Sequence, residues 1–286
     1  MSEPTALFIG SPGAGKSNYL FRLWLALRDD RQRTIMRDGN PAELQYLNDG
    51  VSRQLAGQFA DHTSMGVRER IAIPLKVNGV PASLTVPDRP GEDWKKFYER
   101  RRFPTDWLDL IHDTTSCLVF VPAVGTDAPH DWMTIQRFQG AGANLGTNAD
   151  LRDAPPPTQM VLADTIQLLQ AQFRQSVGPA HVPRIGIVIT AWDMLPAEQQ
   201  AGGPLQHLRT EHKLLYDFIT ANRERFAIEA FGITLYGGDL NDPEFTKDFG
   251  DKHPRERGEV WHQLNGAVEC SDDLVLPIAW ALSAGT

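Results

Sequence analysis

Short apolar runs alternate with segments of helical periodicity along the 286-residue chain. The apolar runs predict buried strands, and two extended segments flank Asn78-Gly79, a dipeptide typical of a β-hairpin turn. The predicted strands are 5–9, 69–77, 82–87, 116–122, 184–189 and 230–236. The predicted helices are near 16–27, 93–112, 158–176, 205–224 and 272–283. This alternation predicts an α/β fold with a doubly wound, mostly parallel six-stranded sheet and an antiparallel hairpin strand.

Three connections between these elements are long, and we interpret them as insertions in a single domain that spans residues 1–286. They lie near 28–62, 123–157 and 241–259. Long connections in a compact fold are more often functional or mobile than structural. We expect the third, which is rich in charged residues, to be a surface loop or a docking element.

A glycine-rich segment, Gly10-Ser-Pro-Gly-Ala-Gly-Lys-Ser17, joins the first predicted strand to the first predicted helix. It matches the P-loop pattern G-x-x-x-x-G-K-[ST] in the strand–loop–helix context that the pattern requires. In such a loop the backbone N–H groups point at phosphate, the lysine reaches the β- and γ-phosphates, and the hydroxyl binds Mg²⁺. The predicted phosphate-binding residues are Gly10, Ser11, Pro12, Gly13, Ala14, Gly15, Lys16, Ser17 and Asn18.

An acidic turn, Asp88-Arg-Pro-Gly91, follows the second hairpin strand and matches the pattern D-x-x-G. We expect Asp88 to hold Mg²⁺ through a water, together with Ser17. The Gly91 N–H would contact the γ-phosphate, because no side chain blocks its approach.

A third motif, Thr190-Ala-Trp-Asp193, follows the predicted strand at 184–189. Here the sequence resembles the P-loop GTPases of the translation-factor (TRAFAC) and Ras class, in which the base-reading motif [NT]-K-x-D occupies this place. The resemblance implies a Ras-like GTPase fold with insertions and a carboxylate, Asp193, that binds guanine N1 and N2. Thr190 matches the first motif position, whereas Ala191 replaces the usual lysine and leaves the strictness of guanine selection open.

The combination of GSPGAGKS, DRPGED and ITAWD is also similar to bacterial double-GTPase families of conflict or defence loci. Two further guanine contacts follow from the class resemblance. Gly237 and Gly238 come after the last strand, where such GTPases read guanine O6 with a backbone N–H. Trp192 would either contact the base or pack in the core.

The remaining catalytic residues are assigned by position. Thr63, with Ser64 as the alternative, precedes the hairpin and would complete the Mg²⁺ shell as a switch residue. Glu92 follows the D-x-x-G turn, where the class orients the attacking water, and Lys16 would stabilise the transferred phosphoryl group. Because a carboxylate cannot donate a hydrogen bond as an amide can, Glu92 predicts slow turnover. Glu92 is equally suited to a helix start.

The composition excludes some other classes of protein. The formal net charge of −8 argues against non-specific binding to nucleic acid or to an anionic membrane surface. Two distant cysteines and an N-terminus without a basic region suit a reduced, cytoplasmic setting. No apolar run reaches the roughly 18 residues that span a bilayer. We therefore expect a protein partner, namely an effector, an activator or a second GTPase, and no membrane contact.

These motifs together predict a Mg²⁺-dependent protein that binds GTP or GDP and hydrolyses GTP slowly, as a nucleotide-controlled switch or assembly module. One alternative is a nucleotide-bound scaffold that does not hydrolyse GTP, which Glu92 and Ala191 favour. An ATP-dependent P-loop enzyme is the second alternative, although no acidic pair follows a strand as in a Walker B motif.

Overall fold

Nine strands make up the sheet in the part of the chain that the computed structural model describes. That part is residues 3–11, 13–28, 34–58, 70–87, 97–112, 114–126, 156–177, 182–238, 240, 242–251 and 258–283. The strands are β1 Thr5–Gly10, β2 Ile35–Arg37, β3 Arg70–Val77, β4 Val80–Pro87, β5 Ser116–Pro122, β6 Arg184–Thr190, β7 Ala227–Thr234, β8 Glu259–His262 and β9 Glu269–Ser271. They form one sheet in the order β2-β3-β4-β1-β5-β6-β7-β8-β9. The five strands from β4 to β7 are parallel, which confirms the predicted α/β fold with a mostly parallel sheet.

The central strands are mostly apolar because helices cover both faces of the sheet. Every residue of β1 is buried. Its side chains alternate between the faces, so that Ala6 and Phe8 join one core cluster whereas Leu7 and Ile9 join the other. The sheet therefore separates two hydrophobic cores.

The two cores are closed by two sets of helices. The helices are α1 Lys16–Ala26, α2 Leu44–Leu55, α3 Thr105–His112, α4 Thr158–Val177, α5 Ala197–Gly202, α6 Pro204–Glu211, α7 Lys213–Ala221, α8 Pro243–Asp251 and α9 Leu276–Leu282. Helices α1, α2 and α9 pack on one face of the sheet, and α3, α4, α6 and α7 pack on the other. Among the described helices, none has the length and apolar character needed to cross a bilayer.

The predicted hairpin is formed by β3 and β4. Asn78 and Gly79 both have positive φ angles, 51° and 80°, which is the backbone conformation of a type I′ turn. The turn sets the register, so that Val77 pairs with Val80 and Arg70 with Pro87. The hairpin therefore places Pro87, the last residue of β4, at the end of the sheet where β1 also ends.

The predicted number of six strands was wrong, because three short strands extend the sheet at its edges. Strand β2 pairs with β3 at one edge, and β8 and β9 follow β7 at the other. Strands of three or four residues are too short for an alternating pattern to reveal. The insertion at 28–62 thus contains β2 and α2, and the insertion at 241–259 contains helix α8 and is not simply a loop.

Two predicted helices are interrupted. Of the helix expected over 93–112, residues 93–96 lie outside the described part of the chain. The rest is a helical turn at 97–100 and then α3, with a break between them where Arg101 has φ 48° and Pro104 precedes the second segment. The helix expected over 205–224 is divided into α6 and α7 at His212, whose φ is −128°. The apolar periodicity continues across both breaks, because both segments of each pair pack on the same core.

We predict that Gly10→Ala destabilises the fold by about 2–4 kcal/mol. A Cβ atom at residue 10 would lie 2.8 Å from the backbone oxygen of Phe120, the residue paired with it on β5, and φ is +153°. Urea unfolding measures the loss. Gly39→Ala is the control, since residue 39 also has a positive φ (96°) but its Cβ would meet no atom within 4 Å. Equal losses in the two variants would contradict the steric explanation.

Candidate nucleotide-binding site

The P-loop connects the end of β1 to the start of α1. Gly13 and Gly15 have φ angles of 72° and 84°, a left-handed conformation that residues with a Cβ adopt at a cost. Gly15 stands immediately before Lys16, the first residue of α1. The loop thus leads directly into the positive N-terminal end of an 11-residue helix, which favours a bound anion.

The ammonium group of Lys16 lies against this loop. Its Nζ donates hydrogen bonds to the carbonyl oxygens of Gly10 (2.5 Å) and Ser11 (2.7 Å). Burial lowers the pKa of Lys16 to about 8, since a desolvated ammonium is disfavoured. Phosphate oxygens would replace neutral carbonyls with charged acceptors, which form stronger hydrogen bonds with a lysine.

Thr190, the last residue of β6, joins the P-loop to the loop that carries Asp193. Its hydroxyl donates to the carbonyl oxygen of Ala14 (3.1 Å), and its backbone oxygen accepts from the N–H of Ala123 (2.8 Å). A Cβ atom on Gly15 would lie 3.0 Å from the Thr190 methyl carbon. Thr190 is 4% exposed, so it acts here as a buried support for the P-loop.

Asp193 lies on a short 3₁₀ turn, Trp192–Met194, that begins after a left-handed residue, Ala191 (φ 54°). The half-buried carboxylate accepts hydrogen bonds from the backbone N–H groups of Gly237 and Gly238. Burial raises the pKa of Asp193, and these hydrogen bonds oppose that rise. Asp193 follows β6, and Gly237 and Gly238 follow the parallel strand β7, so these three predicted guanine contacts meet at the same end of the sheet.

Trp192 packs in the core. Its side chain is fully buried, and a Cβ atom on Gly232 of β7 would lie 2.4 Å from its indole ring. The ring also makes an edge contact with His207, at 5.4 Å between centroids. Of the two roles that the sequence left open for Trp192, its buried position corresponds to core packing.

Two histidines continue this buried cluster behind the Asp193 turn. His207 and His212 are 3% and 2% exposed, and their ring centroids are 5.9 Å apart. Among the described residues, neither Nε2 atom has a hydrogen-bond partner. Burial lowers the pKa of His207, although the charge of Glu211 raises it, and burial with the neighbouring His207 lowers the pKa of His212 to about 4. Both rings are therefore neutral at pH 7.

Sequence reasoning missed two residues beside the site, Gln54 and Tyr236. Both contact Asn18 in the first turn of α1. The sequence could have indicated Tyr236, because it directly precedes Gly237 and Gly238. Nothing in the sequence indicated Gln54, since it comes from the insertion at 28–62 and belongs to no motif.

Several predicted residues lie outside the described part of the chain. They are Pro12, Thr63, Ser64, Asp88, Gly91 and Glu92. The oxygen donors predicted for Mg²⁺ are of the type that this ion prefers, and Ser17 is the described one, placed next to Lys16 on α1. Within the described ranges no cluster of three or more His, Cys, Asp or Glu side chains could hold a metal ion. The described residues thus include the P-loop apart from Pro12, the predicted guanine contacts, and Ser17, one of the residues predicted to hold Mg²⁺.

Comparison with known proteins gives one family match. The model of the family described as Double-GTPase 1 matches residues 7–281. No curated protein matches the chain.

Solved structures that match are remote. The signal recognition particle receptor SRb-GTP/SRX complex from Chaetomium thermophilum has 14% identity and a TM-score of 0.38, covering 88% of this chain and all of that chain. The S. cerevisiae Ski7 GTPase-like domain bound to GDP and inorganic phosphate has 14% identity and a TM-score of 0.43, covering 80% and 43%. A bacterial selenocysteine-specific elongation factor, EF-Sec, has 13% identity and a TM-score of 0.34, covering 80% and 25%.

The buried histidines predict a stability that depends on pH. Because the pKa of His212 is about 4 in the folded chain and near its ordinary value of 6.5 when unfolded, the unfolded chain binds more protons between these values. The free energy of unfolding therefore suffers no loss from His212 above pH 6.5, and it falls by on the order of 2–3 kcal/mol as the pH drops toward 4. Urea unfolding at pH 7.0, 5.5 and 4.5 measures this loss. In His212→Gln the free energy of unfolding should depend less on pH, and an unchanged pH dependence would disprove the role of His212. His112→Gln, which changes an exposed histidine, is the control and should keep the wild-type pH dependence.

Proposed function

The chain belongs to the Double-GTPase 1 family, and from this we propose that it is a Mg²⁺-dependent GTPase with slow turnover that acts as a nucleotide-controlled switch or assembly module. Family membership makes it a GTP-binding protein of the GTPase class. The observation that carries the proposal is the contact of Asp193 with Gly237 and Gly238, on a turn that Thr190 ties to the P-loop. These contacts support the proposal because they connect the P-loop to the turn that would read guanine.

On the phosphate side, Lys16 would exchange its two carbonyl partners for oxygens of the β- and γ-phosphates. The backbone N–H groups between Gly13 and Ser17 would donate to the β-phosphate, aided by the N-terminal end of α1. Mg²⁺ held by Ser17, and through Asp88 and Thr63, would neutralise charge that develops on the phosphates. The Gly91 N–H would contact the γ-phosphate.

On the base side, Asp193 would accept hydrogen bonds from guanine N1–H and the 2-amino group. The N–H groups of Gly237 and Gly238 now donate to this carboxylate, and one of them would turn to guanine O6. Hydrogen bonds to guanine would replace these internal hydrogen bonds, so the half-buried carboxylate would have hydrogen-bond partners both before and after the nucleotide binds. Adenine presents an acceptor at N1 and lacks the 2-amino group, so Asp193 would reject it.

Turnover in this proposal is limited by Glu92, which would orient the attacking water as an acceptor only. Hydrolysis would release the contacts of Thr63 and Gly91 with the γ-phosphate and change the affinity for a protein partner. The partner would be an effector, an activator or a second GTPase, in a bacterial cytoplasm and a conflict or defence system. The net charge of −8 suits a protein partner better than nucleic acid.

Phosphate release at saturating GTP separates this proposal from a scaffold that binds GTP without hydrolysing it. We expect slow release of phosphate that a partner accelerates, whereas a scaffold would release none with or without a partner.

Calorimetry with GTP and ATP separates the proposed GTPase from an ATP-dependent enzyme. Binding of ATP at least as tight as that of GTP would contradict the role of Asp193.

We predict that Asp193→Asn weakens GTP binding by about 100-fold, because two hydrogen bonds to a charged acceptor are lost. The same variant should prefer XTP to GTP, since the C2 oxygen of xanthine accepts from the new amide. Calorimetric titration with both nucleotides measures the change. Asp217→Asn is the matched control, because Asp217 is an exposed carboxylate paired with Lys213 on α7; a variant at 193 that still prefers GTP would refute the assignment.

We also predict that GTP affinity falls as the pH rises above about 8. In the free protein burial lowers the pKa of Lys16 to about 8, whereas bound phosphate favours the ammonium form and raises that pKa. Binding therefore takes up a proton above pH 8, and the affinity decreases by up to about tenfold per pH unit. Calorimetry at pH 7, 8 and 9 measures this slope. An arginine stays charged over this pH range, so the GTP affinity of Lys16→Arg should depend much less on pH.

A further inference from the structure

A cluster of polar side chains lies where α1, α2 and the end of β7 meet. We call it the polar junction, and it consists of Asn18, Gln54 and Tyr236. The amide Nε2 of Gln54 donates to the backbone oxygen of Asn18 (2.9 Å), to its Oδ1 (3.2 Å) and to the Tyr236 hydroxyl (2.9 Å). The Tyr236 hydroxyl in turn donates to Asn18 Oδ1 (3.1 Å). Each of the three residues thus contacts the other two.

The three residues come from three parts of the chain with different tasks. Asn18 is in the first turn of α1, two residues after Lys16. Tyr236 directly precedes Gly237 and Gly238, whose N–H groups reach Asp193. Gln54 is at the end of α2, within the insertion at 28–62. The junction therefore links the phosphate side of the site to the guanine side.

The geometry of Gln54 indicates that its donors matter. Its side chain is 2% exposed, and its Oε1 has no hydrogen-bond partner among the described residues. Leaving a buried acceptor without a partner costs free energy. Rotating the amide by 180° would place the carbonyl against the backbone oxygen of Asn18, so the N–H groups must face the junction.

Helix α8 packs against the other side of the loop that contains Gly237 and Gly238. A Cβ atom on Gly238 would lie 2.5 Å from the Phe245 ring, and the Phe249 ring centroid is 5.7 Å from that of Tyr236. The Thr246 methyl lies 2.5 Å from the Cβ position of Gly57, just after α2. Tyr236 thus contacts Asn18 and Gln54 through its hydroxyl and α8 through its ring.

We propose that Asn18, Gln54 and Tyr236 are positioning residues for guanine recognition. They fix the loop of Gly237 and Gly238 relative to the first turn of α1, so that its N–H groups and Asp193 meet the base when the phosphates are in the P-loop. Ala191 stands where the class has a lysine and would offer the base only a methyl group, which leaves more of the positioning to other contacts. The inference rests on the proposed function, and it gives the insertion at 28–62 a part in nucleotide selection.

The test compares nucleotide preference in two variants. Tyr236→Phe removes one hydroxyl and keeps the ring, and Gln54→Leu removes the amide NH₂, whose two N–H groups are shared among the three acceptors, at similar volume. Competition binding measures Kd for GTP and for ATP. We expect the preference for GTP over ATP to fall about five- to tenfold in each variant, while ATP affinity changes less than about twofold.

Tyr19→Phe is the matched control. Tyr19 is the neighbour of Asn18 on α1, and its buried hydroxyl donates to the backbone oxygen of Leu274 (2.7 Å), away from the junction. This variant should lower the thermal midpoint as much as Tyr236→Phe does and keep the wild-type GTP preference. A merely structural role of the junction predicts the same nucleotide preference in both.

The outcomes separate this inference from the proposed function. A wild-type protein with no preference for GTP would overturn both. A wild-type protein that prefers GTP, with variants at 54 and 236 that keep that preference, would overturn the positioning role alone. Equal weakening of GTP and ATP would also overturn it, because the junction would then support the site as a whole.

Discussion

The contact between the P-loop and the end of β6 is the constraint on which the rest of the site depends. The Thr190 hydroxyl donates to the carbonyl oxygen of Ala14. A Cβ atom at residue 15 would lie only 3.0 Å from the Thr190 methyl carbon, so the glycine there leaves room for the Thr190 side chain. This places the loop before α1 and the turn that carries Asp193 at a set distance. The base and the phosphates of a nucleotide are joined by a short covalent linkage of limited reach, so both can be bound at once only if the two loops keep a suitable distance.

The insertions strengthen this arrangement from the side. The first contributes β2, which extends the sheet, and α2, which brings Gln54 to Asn18 and Tyr236. The third contributes α8, whose aromatic rings pack on Tyr236 and Gly238. Segments that exceed a minimal Ras-like domain therefore pack around Tyr236 and Gly238, next to the loop that we propose reads guanine.

Sequence reasoning was strongest where a local pattern has a single physical cause. The buried runs predicted the central strands because both faces of a parallel sheet are covered, and Asn78-Gly79 predicted the hairpin because its turn needs two positive φ angles. It failed for β2, β8 and β9, which are too short for a period to be read. It left Trp192 undecided, because an indole suits both a base contact and a core, and only the packing against Gly232 distinguishes them.

The sequence by itself determined the class of fold, the P-loop and the family resemblance, since these depend on residues that are neighbours in the chain. Only the tertiary structure decided that Asp193 contacts Gly237 and Gly238, that Thr190 supports the P-loop, and that Gln54 reaches Asn18 from 36 residues away. The reason is physical. Hydrogen bonds between distant residues depend on how strands and helices are brought together, and a linear pattern records the donors and acceptors without recording which of them will meet.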